Sequence, residues 1–310
     1  MSSRVCRVAM MVTSTTRAMA PESSAGAEPA AGVLYLVGTP IGHRGDFSPR
    51  AQQLLAAVDR VACEDTRHSG LLLHGFGIKA KLVSFHQHNQ QRRIPELLAG
   101  LADGESLAVI SDAGLPGISD PGEELAAAAR NAGHGVVCVP GPCAATTALV
   151  SSGLPSGRFC FEGFLPAKGR ERQQRLKELA LEQRTSVLYE APHRLLALLR
   201  DLVEHCGAQR GVQVARELTK RHEEQVGPTL ADALAHFEAH KPQGEFTLVL
   251  AGAPATPQRS WSEQELRDAL AALQAQGLSA SDAARELASQ SGCSKRDLYR
   301  LLHHNSAASD

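Results

Sequence analysis

Short apolar runs, each followed by a glycine- and proline-rich loop, are the main hydrophobic pattern in the first half of the chain. The runs span 33–37, 107–110 and 136–139. They carry Val, Ile and Leu at neighbouring positions, which is typical of parallel strands that are buried on both faces. A helix-like segment follows each loop. We therefore predict that the three strands end at one edge of an open α/β sheet, where such sheets bind ligands.

Helix start and stop signals fit between these runs. Ser48 followed by Pro49 predicts a helix start, because serine accepts a hydrogen bond at the N-cap and proline suits the first helical position. Asp120 and Glu123 have the spacing of a capping box, which predicts a second start. The helix that it opens is expected to end before Gly133.

The second half of the chain also alternates between strands and helices. Strands are predicted over 158–161, 186–189, 212–216 and 246–251, and helices near 169–182, 193–205 and 229–237. Asn-Gly and Asp-Gly turns are absent from this half, which argues against an all-β arrangement. We predict an α/β fold with one domain over 32–140 and another over 141–252.

The two ends of the chain differ from this pattern. Residues 1–31 are rich in Ser, Ala, Thr and Met, and this composition favours a disordered extension or an upstream start codon over a transit peptide. A linker is predicted over 253–260, and a helix-turn-helix-like module over 261–305, where Ser262 and Glu265 form a capping box. Such modules contact nucleic acid or protein, and a purely structural appendage is the equal alternative.

Charge and cysteine content narrow the functional classes. The 310 residues include 32 Lys and Arg against 33 Asp and Glu, so any RNA contact must use local patches. The seven cysteines form no CxxC pair, which indicates reduced thiols in the cytoplasm and neither disulfides nor a zinc site. No apolar stretch in the sequence is long enough to span a membrane, so we expect a cytoplasmic protein with no membrane partner.

Ordered motifs between Val33 and His304 carry a family resemblance. They are Gly38-Thr-Pro-Ile-Gly-His-Arg-Gly-Asp46, Cys63-Glu-Asp-Thr-Arg67, Ser84-Phe-His-Gln-His-Asn89, Ser111-Asp-Ala-Gly-Leu-Pro-Gly-Ile-Ser-Asp-Pro-Gly122, Phe161-Glu-Gly-Phe-Leu-Pro166, Tyr189-Glu-Ala-Pro-His193 and Ala215-Arg-Glu-Leu-Thr-Lys220. With them the chain resembles the class III, tetrapyrrole-methylase-type S-adenosylmethionine methyltransferases. More narrowly, it is similar to the group that methylates the ribose 2′-hydroxyl of a cytidine in small-subunit ribosomal RNA.

The resemblance implies two α/β domains with S-adenosylmethionine in the cleft between them. Glycine-rich loops suit this role, because the backbone can approach the ligand closely. The residues implied to bind the cofactor are Pro40, Ser111, Asp112, Ala113, Gly114, Pro116, Ile118, Cys143 and Ala144. The chain departs from the broad family at two of these places: Ser111-Asp-Ala-Gly114 replaces Gly-Gly-Asp-Pro, and Cys143 replaces Ser or Thr.

Methyl transfer to a ribose hydroxyl needs alignment above all, and a group that orients this weakly acidic hydroxyl or takes its proton would help. Asp65 and Arg67 follow a strand that is predicted over 60–63, and His86 lies in a motif of the RNA-methylating group. We expect these three residues to be catalytic, with His88 and Glu217 as further candidates. No further ligands lie near the two histidines in sequence, so we expect a polar loop and no metal.

Two basic clusters are the candidate RNA contacts. The first comprises Lys168, Arg170, Arg172 and Arg175, and the second centres on Arg296 in the last predicted helix. Such side chains bind phosphate, although a solvated helix face is the equally weighted alternative for the first cluster. The expected partner is small-subunit ribosomal RNA or the assembled small subunit, and we expect a homodimer.

Two other functions remain open from the sequence. The loop from Gly38 to Gly42, with Glu64 and Asp65 after the next strand, has the layout of an NAD(P)-dependent oxidoreductase. The loop is not GxGxxG, however, and Pro40 removes an N–H that a pyrophosphate would use. The other alternative is a non-catalytic, RNA-binding ribosome-assembly factor. Binding of S-adenosylmethionine separates the methyltransferase from both alternatives, and methyl transfer separates an enzyme from a binding protein.

Overall fold

The computed structural model describes residues 29–254 and 261–303, which belong to two compact units divided after Gly252. Both halves of the predicted α/β region lie in the first unit, and the helical module lies in the second. Nearly all of the predicted N-terminal extension and most of the predicted linker fall outside the described residues.

The first sheet consists of five parallel strands. They are β1 (Val33–Val37), β2 (Arg60–Cys63), β3 (Leu82–Ser84), β4 (Leu107–Ile110) and β5 (Gly135–Val139), in the order β3-β2-β4-β1-β5. The three apolar runs of the sequence form the adjacent strands β4, β1 and β5. Because these strands are parallel, their carboxyl ends meet at one edge, which confirms the predicted convergence.

Five α-helices belong to this half of the described chain; the first four pack on the first sheet, and the fifth packs against the second sheet. They are α1 (Pro49–Ala57), α2 (Thr66–His74), α3 (Gln90–Ala102), α4 (Glu123–Asn131) and α5 (Ala144–Ser151). Alternate residues of a strand point to opposite faces. Val33 therefore packs in the cluster with α1 and α2, and Leu34 packs with α3 and α4. Ser48 caps α1 as predicted, accepting a hydrogen bond from Ala51 N at 3.1 Å.

Helix α4 begins later than the sequence pattern predicts. Its N-cap is Gly122, which has no side chain to form a cap, and its first residue is Glu123. The predicted capping box of Asp120 and Glu123 is therefore wrong. The physical reason is the backbone, which turns through positive φ at Ser119 (62°) and Gly122 (150°) before the helix starts. Asp120 thus lies in the turn and not at the helix cap.

The second sheet is mixed. Its strands are β6 (Phe159–Phe164), β7 (Thr185–Glu190), β8 (Val212–Arg216), β9 (Glu224–Val226) and β10 (Phe246–Leu250), in the order β6-β7-β10-β8-β9. Only β6 and β7 pair in parallel among these strands. One face is covered by α6 (Gly169–Leu181), α7 (Pro192–Cys206) and α8 (Leu230–Ala239). Apart from β9, which was not predicted, these elements lie within a few residues of their predicted positions.

An apolar cluster joins the two sheets of the first unit. Ile41, from the loop after β1, packs with Ala145 and Leu149 of α5 and with Val187 and Val249 of the second sheet. Burial of each large apolar side chain contributes roughly 1.5–3 kcal/mol. The cluster fixes the loop after β1 and the start of α5 against the second sheet, so both sheets contribute to one site.

The second unit contains three helices in its described part. They are α9 (Glu263–Ala275), α10 (Ala280–Ser291) and α11 (Lys295–His303). Ser262 and Glu265 form the predicted capping box, and Leu270 and Leu298 are buried in the core of the module. In neither unit is a described helix long and apolar enough to cross a membrane.

Candidate active site

The loops that follow β1, β4 and β5 are held together through their backbones. Thr39 N donates a hydrogen bond to Gly114 O at 2.9 Å, and Thr39 Oγ1 donates one to Ser111 O at 3.1 Å. Gly38 and Gly141 pass so closely that a Cβ atom on Gly38 would lie 2.7 Å from Gly141 Cα. The two loops can meet in this way because both positions are glycine.

A cavity of about 320 Å³ opens beside these loops, within the size range of small-molecule sites. The first-sheet side is lined by Ile41, Ala113, Gly114, Leu115, Ile118, Ser119, Asp120, Cys143 and Ala144. The second-sheet side is lined by Phe164, Tyr189, Glu190, Ala191, Pro192, Ala215, Leu218, Gly244, Glu245, Phe246 and Thr247. The two α/β halves therefore enclose one largely apolar site.

The structure brings five of the nine predicted cofactor-binding residues to this cavity. They are Ala113, Gly114, Ile118, Cys143 and Ala144. Pro40, Ser111 and Pro116 are buried, and Ser111 Oγ supports the loop by donating a hydrogen bond to Gly114 O at 3.1 Å. Asp112 is half-buried, and its Oδ1 atom has no hydrogen-bond partner in the described part of the chain.

The backbone at Gly114 fits the cofactor that the resemblance implies. Its φ of +86° favours glycine, and a Cβ atom there would lie 3.3 Å from both Ile41 Cγ2 and Pro142 O. The loop therefore presents backbone, without a side chain, to the cavity at this point. A backbone exposed in this way lets a bound molecule approach the loop closely.

Aromatic side chains form the facing part of the site. Tyr189 accepts a hydrogen bond from Ala145 N at 3.0 Å, and its ring lies 5.1 Å from that of Phe161 and 5.6 Å from that of Phe164. Burial, together with the neighbouring Cys143, raises the pKa of Tyr189, so its hydroxyl stays protonated at neutral pH. Phe164 remains 52% exposed at the cavity, which leaves part of its ring open to a ligand.

Asp120 is the acidic side chain that the turn before α4 brings to the cavity. Burial and the negative charges of Glu64 and Asp112 raise the pKa of Asp120 to about 6. A carboxyl group with a raised pKa in a ligand-sized cleft is a candidate for proton transfer. Sequence reasoning missed this residue because its spacing to Glu123 resembled a helix cap.

The three predicted catalytic residues lie elsewhere. Asp65 is the N-cap of α2, and hydrogen bonds from the N–H groups of Arg67 and His68 hold its pKa below the ordinary value. The Arg67 side chain is 93% exposed. His86 is half-buried next to His88, with 6.0 Å between the ring centroids. None of the predicted three is among the residues that line the cavity, and their catalytic role stays a prediction.

The predicted basic cluster separates into two kinds of residue. Lys168 and Arg170 are exposed, whereas Arg172 is buried and binds Asp201, with Nη2 2.7 Å from Oδ2. Arg172 Nη1 also donates to Pro166 O at 3.0 Å. An RNA contact by Arg172 therefore stays a prediction, and it would require the guanidinium to leave the partners that it has inside the protein. Arg175 is paired as well, with Glu162 and Glu178.

Arg296, the predicted contact in the second unit, is exposed on α11. Within the ranges 29–254 and 261–303, the structure shows no group of three or more His, Cys, Asp or Glu side chains that could hold a metal ion.

The residues of the second sheet that line the cavity were also missed. Tyr189 and Glu190 belong to one family-like motif, and Ala215 and Leu218 to another, in which the sequence pointed to Glu217 instead. Membership in those motifs was the sequence signal that could have identified these residues. The motifs do not show which side chains face the first sheet, because that depends on the pairing of strands that are distant in sequence.

Comparison with known proteins identifies two families along the chain. Residues 33–234 match the family described as tetrapyrrole (corrin/porphyrin) methylases, and residues 262–305 match the RsmI C-terminal HTH domain. Ribosomal RNA small subunit methyltransferase I of Synechocystis sp. is 53% identical over 270 residues, 87% of this chain and 97% of that protein. The protein of the same name from Escherichia coli O157:H7 is 49% identical over 71% of this chain and 78% of its own length.

Solved structures agree on the fold of the first unit. The methyltransferase CobJ matches with a TM-score of 0.54 at 20% identity, over 71% of this chain and 94% of its own. Uroporphyrin-III C-methyltransferase from Thermus thermophilus, complexed with S-adenosyl homocysteine, matches with a TM-score of 0.50 at 17% identity, over 70% and 96%. At these identities the likeness shows the fold alone.

Proposed function

The chain belongs to the tetrapyrrole methylase family and, within it, to the ribosomal RNA small subunit methyltransferase I group, and we propose from this membership that it methylates small-subunit ribosomal RNA with S-adenosylmethionine. It is a methyltransferase, so the oxidoreductase considered from the loop after β1 is wrong. The observation that carries the proposal is the cavity between the glycine-rich loops and the second sheet, because it offers a cofactor cradle beside an open aromatic surface.

The cofactor would lie against the backbone of Ala113 and Gly114 and against the small residues Cys143 and Ala144. When bound, it supplies a methyl group on a positively charged sulfur. The protein's part is to hold the acceptor oxygen in line with that methyl group and to exclude water. Positioning of this kind can lower the barrier by several kcal/mol or more, even without a strong base.

We propose a cytidine ribose 2′-hydroxyl as the acceptor. Unstacked bases in single-stranded RNA pack on aromatic side chains. Phe164 and Tyr189 line the cavity, and Phe161 packs behind them on Tyr189. Lys168 and Arg170 follow β6 at exposed positions, where they can bind phosphate. A base on Phe164 would bring its own ribose near the cofactor cradle.

The predicted catalytic residues receive proposed roles outside the cavity. Asp65 caps α2 and so fixes the backbone that carries Arg67. The exposed guanidinium of Arg67 is a proposed phosphate contact, and His86 a proposed contact to the same RNA. In the second unit, Arg296 is proposed to add a further phosphate contact from α11.

We also propose that the enzyme acts in the cytoplasm as a homodimer, on ribosomal RNA or on the assembled small subunit. The names of the relatives support the substrate. The free cysteines of the described residues fit a reducing compartment. Light scattering of the purified protein tests the dimer directly.

The test is methyl transfer from radiolabelled S-adenosylmethionine to small subunits that lack the modification, followed by mass mapping of the RNA. We expect one labelled cytidine, with the methyl group on the ribose. Binding of the cofactor without any transfer, to either free RNA or assembled subunits, would instead support the non-catalytic assembly factor. Label on a base would keep the enzyme and contradict the ribose acceptor.

A further inference from the structure

The turn that carries Asp120 has a backbone conformation that is seldom seen outside glycine. Ser119, directly before it, has a φ of 62°, and such strain persists where the surrounding structure requires it. Ser119 Oγ would lie 3.1 Å from a Cβ atom on Gly163, so the turn rests against the glycine of β6. The turn is thus held between α4 and the second sheet, with Asp120 on the cavity wall.

The charged surroundings of Asp120 are acidic on the first-sheet side. Glu64 follows β2 and Asp112 follows β4. Burial is the largest cause of the raised pKa of Asp120, and the negative charges of these two residues raise it further. The Ser111 hydroxyl acts in the opposite direction, because its hydrogen bond to the Asp120 carboxyl lowers the pKa. Tyr189 faces it from β7 and is neutral at neutral pH. Asp120 therefore has an environment that favours taking up a proton.

We propose that the Asp120 carboxylate accepts the proton of the target hydroxyl during methyl transfer. This role rests on the proposed function, because it requires a hydroxyl acceptor. Asp120 lies on the same wall as Gly114 and Ile118, beside the proposed cofactor position, and Phe164 lines the facing wall. A ribose held at Phe164 would have its hydroxyl between the aromatic ring and the carboxylate.

The step is a substitution with balanced bonds. The hydroxyl oxygen forms a bond to the methyl carbon, while the bond from that carbon to sulfur breaks and leaves its electron pair on sulfur. The O–H bond gives its electron pair to the oxygen, and the proton moves to Asp120, which later releases it to water. With a pKa of about 6, the group is ionised at neutral pH and is a stronger base than an ordinary aspartate.

The experiment compares Asp120→Asn, Asp120→Glu, Glu64→Gln and, as a matched control, Asp103→Asn at the exposed end of α3. Single-turnover methylation of small subunits is measured on both sides of pH 6. Calorimetry with S-adenosylhomocysteine reports cofactor affinity independently of activity, and NMR of carbon-labelled aspartate reports the pKa of Asp120.

The wild-type rate is expected to rise with pH through about 6 and then level off. Asp120→Asn should be on the order of 100-fold slower and lack this rise, with cofactor affinity unchanged, because a general base contributes about that much. Asp120→Glu should recover part of the rate. Removing the charge of Glu64 should move both the NMR titration and the rise in rate to lower pH. Asp103→Asn should match the wild type.

Three results would overturn the proposal. Asp120→Asn with the wild-type rate, or with the same pH profile, would exclude it as the base. Loss of S-adenosylhomocysteine binding in that variant would make Asp120 a cofactor contact. Wild-type protein that transfers no methyl group to small subunits would overturn the proposed function and this role with it. If the wild type is active, a failed prediction for the variants concerns the role of Asp120 alone.

Discussion

The hydroxyl of Tyr189 in β7 accepts a hydrogen bond from the backbone N–H of Ala145 in the first turn of α5, at 3.0 Å. The first N–H groups of a helix have no partner within it, so this bond satisfies one of them. It also ties the second sheet to the segment that carries Cys143 and Ala144, two residues of the cavity wall.

Replacing Tyr189 with Phe should therefore weaken both the fold and the cofactor site. The free energy of unfolding should fall by about 1 kcal/mol, the usual contribution of one such bond, and the affinity for S-adenosylmethionine should fall as well. Tyr35→Phe is the matched control, because its hydroxyl accepts a hydrogen bond from Ala30 N, away from the cavity lining. Denaturant unfolding and calorimetry on both variants check this, and equal cofactor affinities would contradict it.

Gly114→Ala should block the cofactor cradle. A side chain at this φ of +86° is strained and meets Ile41 Cγ2 and Pro142 O at 3.3 Å, so the loop must shift. We expect stability to fall by about 1–3 kcal/mol and the affinity for S-adenosylmethionine to fall at least tenfold. Gly114→Val, with a larger side chain, should lose more affinity. Gly157→Ala, with no atom within 4 Å of the new Cβ, is the control and should bind as the wild type does.

Asp120→Asn should stabilise the fold above pH 6. The pKa of Asp120 is about 6 in the folded protein against an ordinary 3.8, so the folded state binds the proton more tightly and stability falls as pH rises between these values. The neutral amide removes this cost, which is smaller than the roughly 3 kcal/mol of the full shift because solvent screens a partly exposed carboxylate. The gain should vanish near pH 3.8. Thermal unfolding across this range checks the prediction, and a gain that does not depend on pH would contradict it.

The exposed and buried members of the basic cluster should behave differently. The double variant Lys168→Gln and Arg170→Gln should weaken RNA binding and lower its salt dependence by about one to two units of slope, with cofactor binding intact. Lys79→Gln with Lys81→Gln is the charge-matched control. These exposed lysines precede β3, so they lie toward the amino ends of the strands of the first sheet, opposite the edge where the glycine-rich loops meet. Equal slopes for both double variants would leave the first cluster as solvated surface.

Arg172→Gln should act on folding instead of binding. The change leaves Asp201 without its partner and breaks a mostly buried ion pair, which typically costs about 3 kcal/mol. We expect a lower melting temperature and, in protein that remains folded, an unchanged salt slope of RNA binding. A stable variant with a reduced slope would instead support an RNA contact by Arg172.

Elements whose signals lie close together in sequence were predictable. The runs that form β1 and β4 are apolar over their whole length, and Ser48 and Ser262 cap helices through hydrogen bonds to residues only three positions away. The three-residue strand β9 gave no comparable signal, since it pairs only at the edge of its sheet.

By itself, the sequence determined most of the strands, several helix starts, the glycine-rich loops and the family of the chain, because these depend on neighbouring residues and on ordered motifs. The tertiary structure alone decided that Asp120 lines the cavity, that Arg172 is buried and that Tyr189 lies beside Cys143. Because the backbone has positive φ at Ser119 and Gly122, Asp120 lies in a turn before α4 and lines the cavity instead of capping the helix. Contacts across 29 residues, from Arg172 to Asp201, and across 44, from Ala145 to Tyr189, do not follow from local spacing, because they form only when the elements pack.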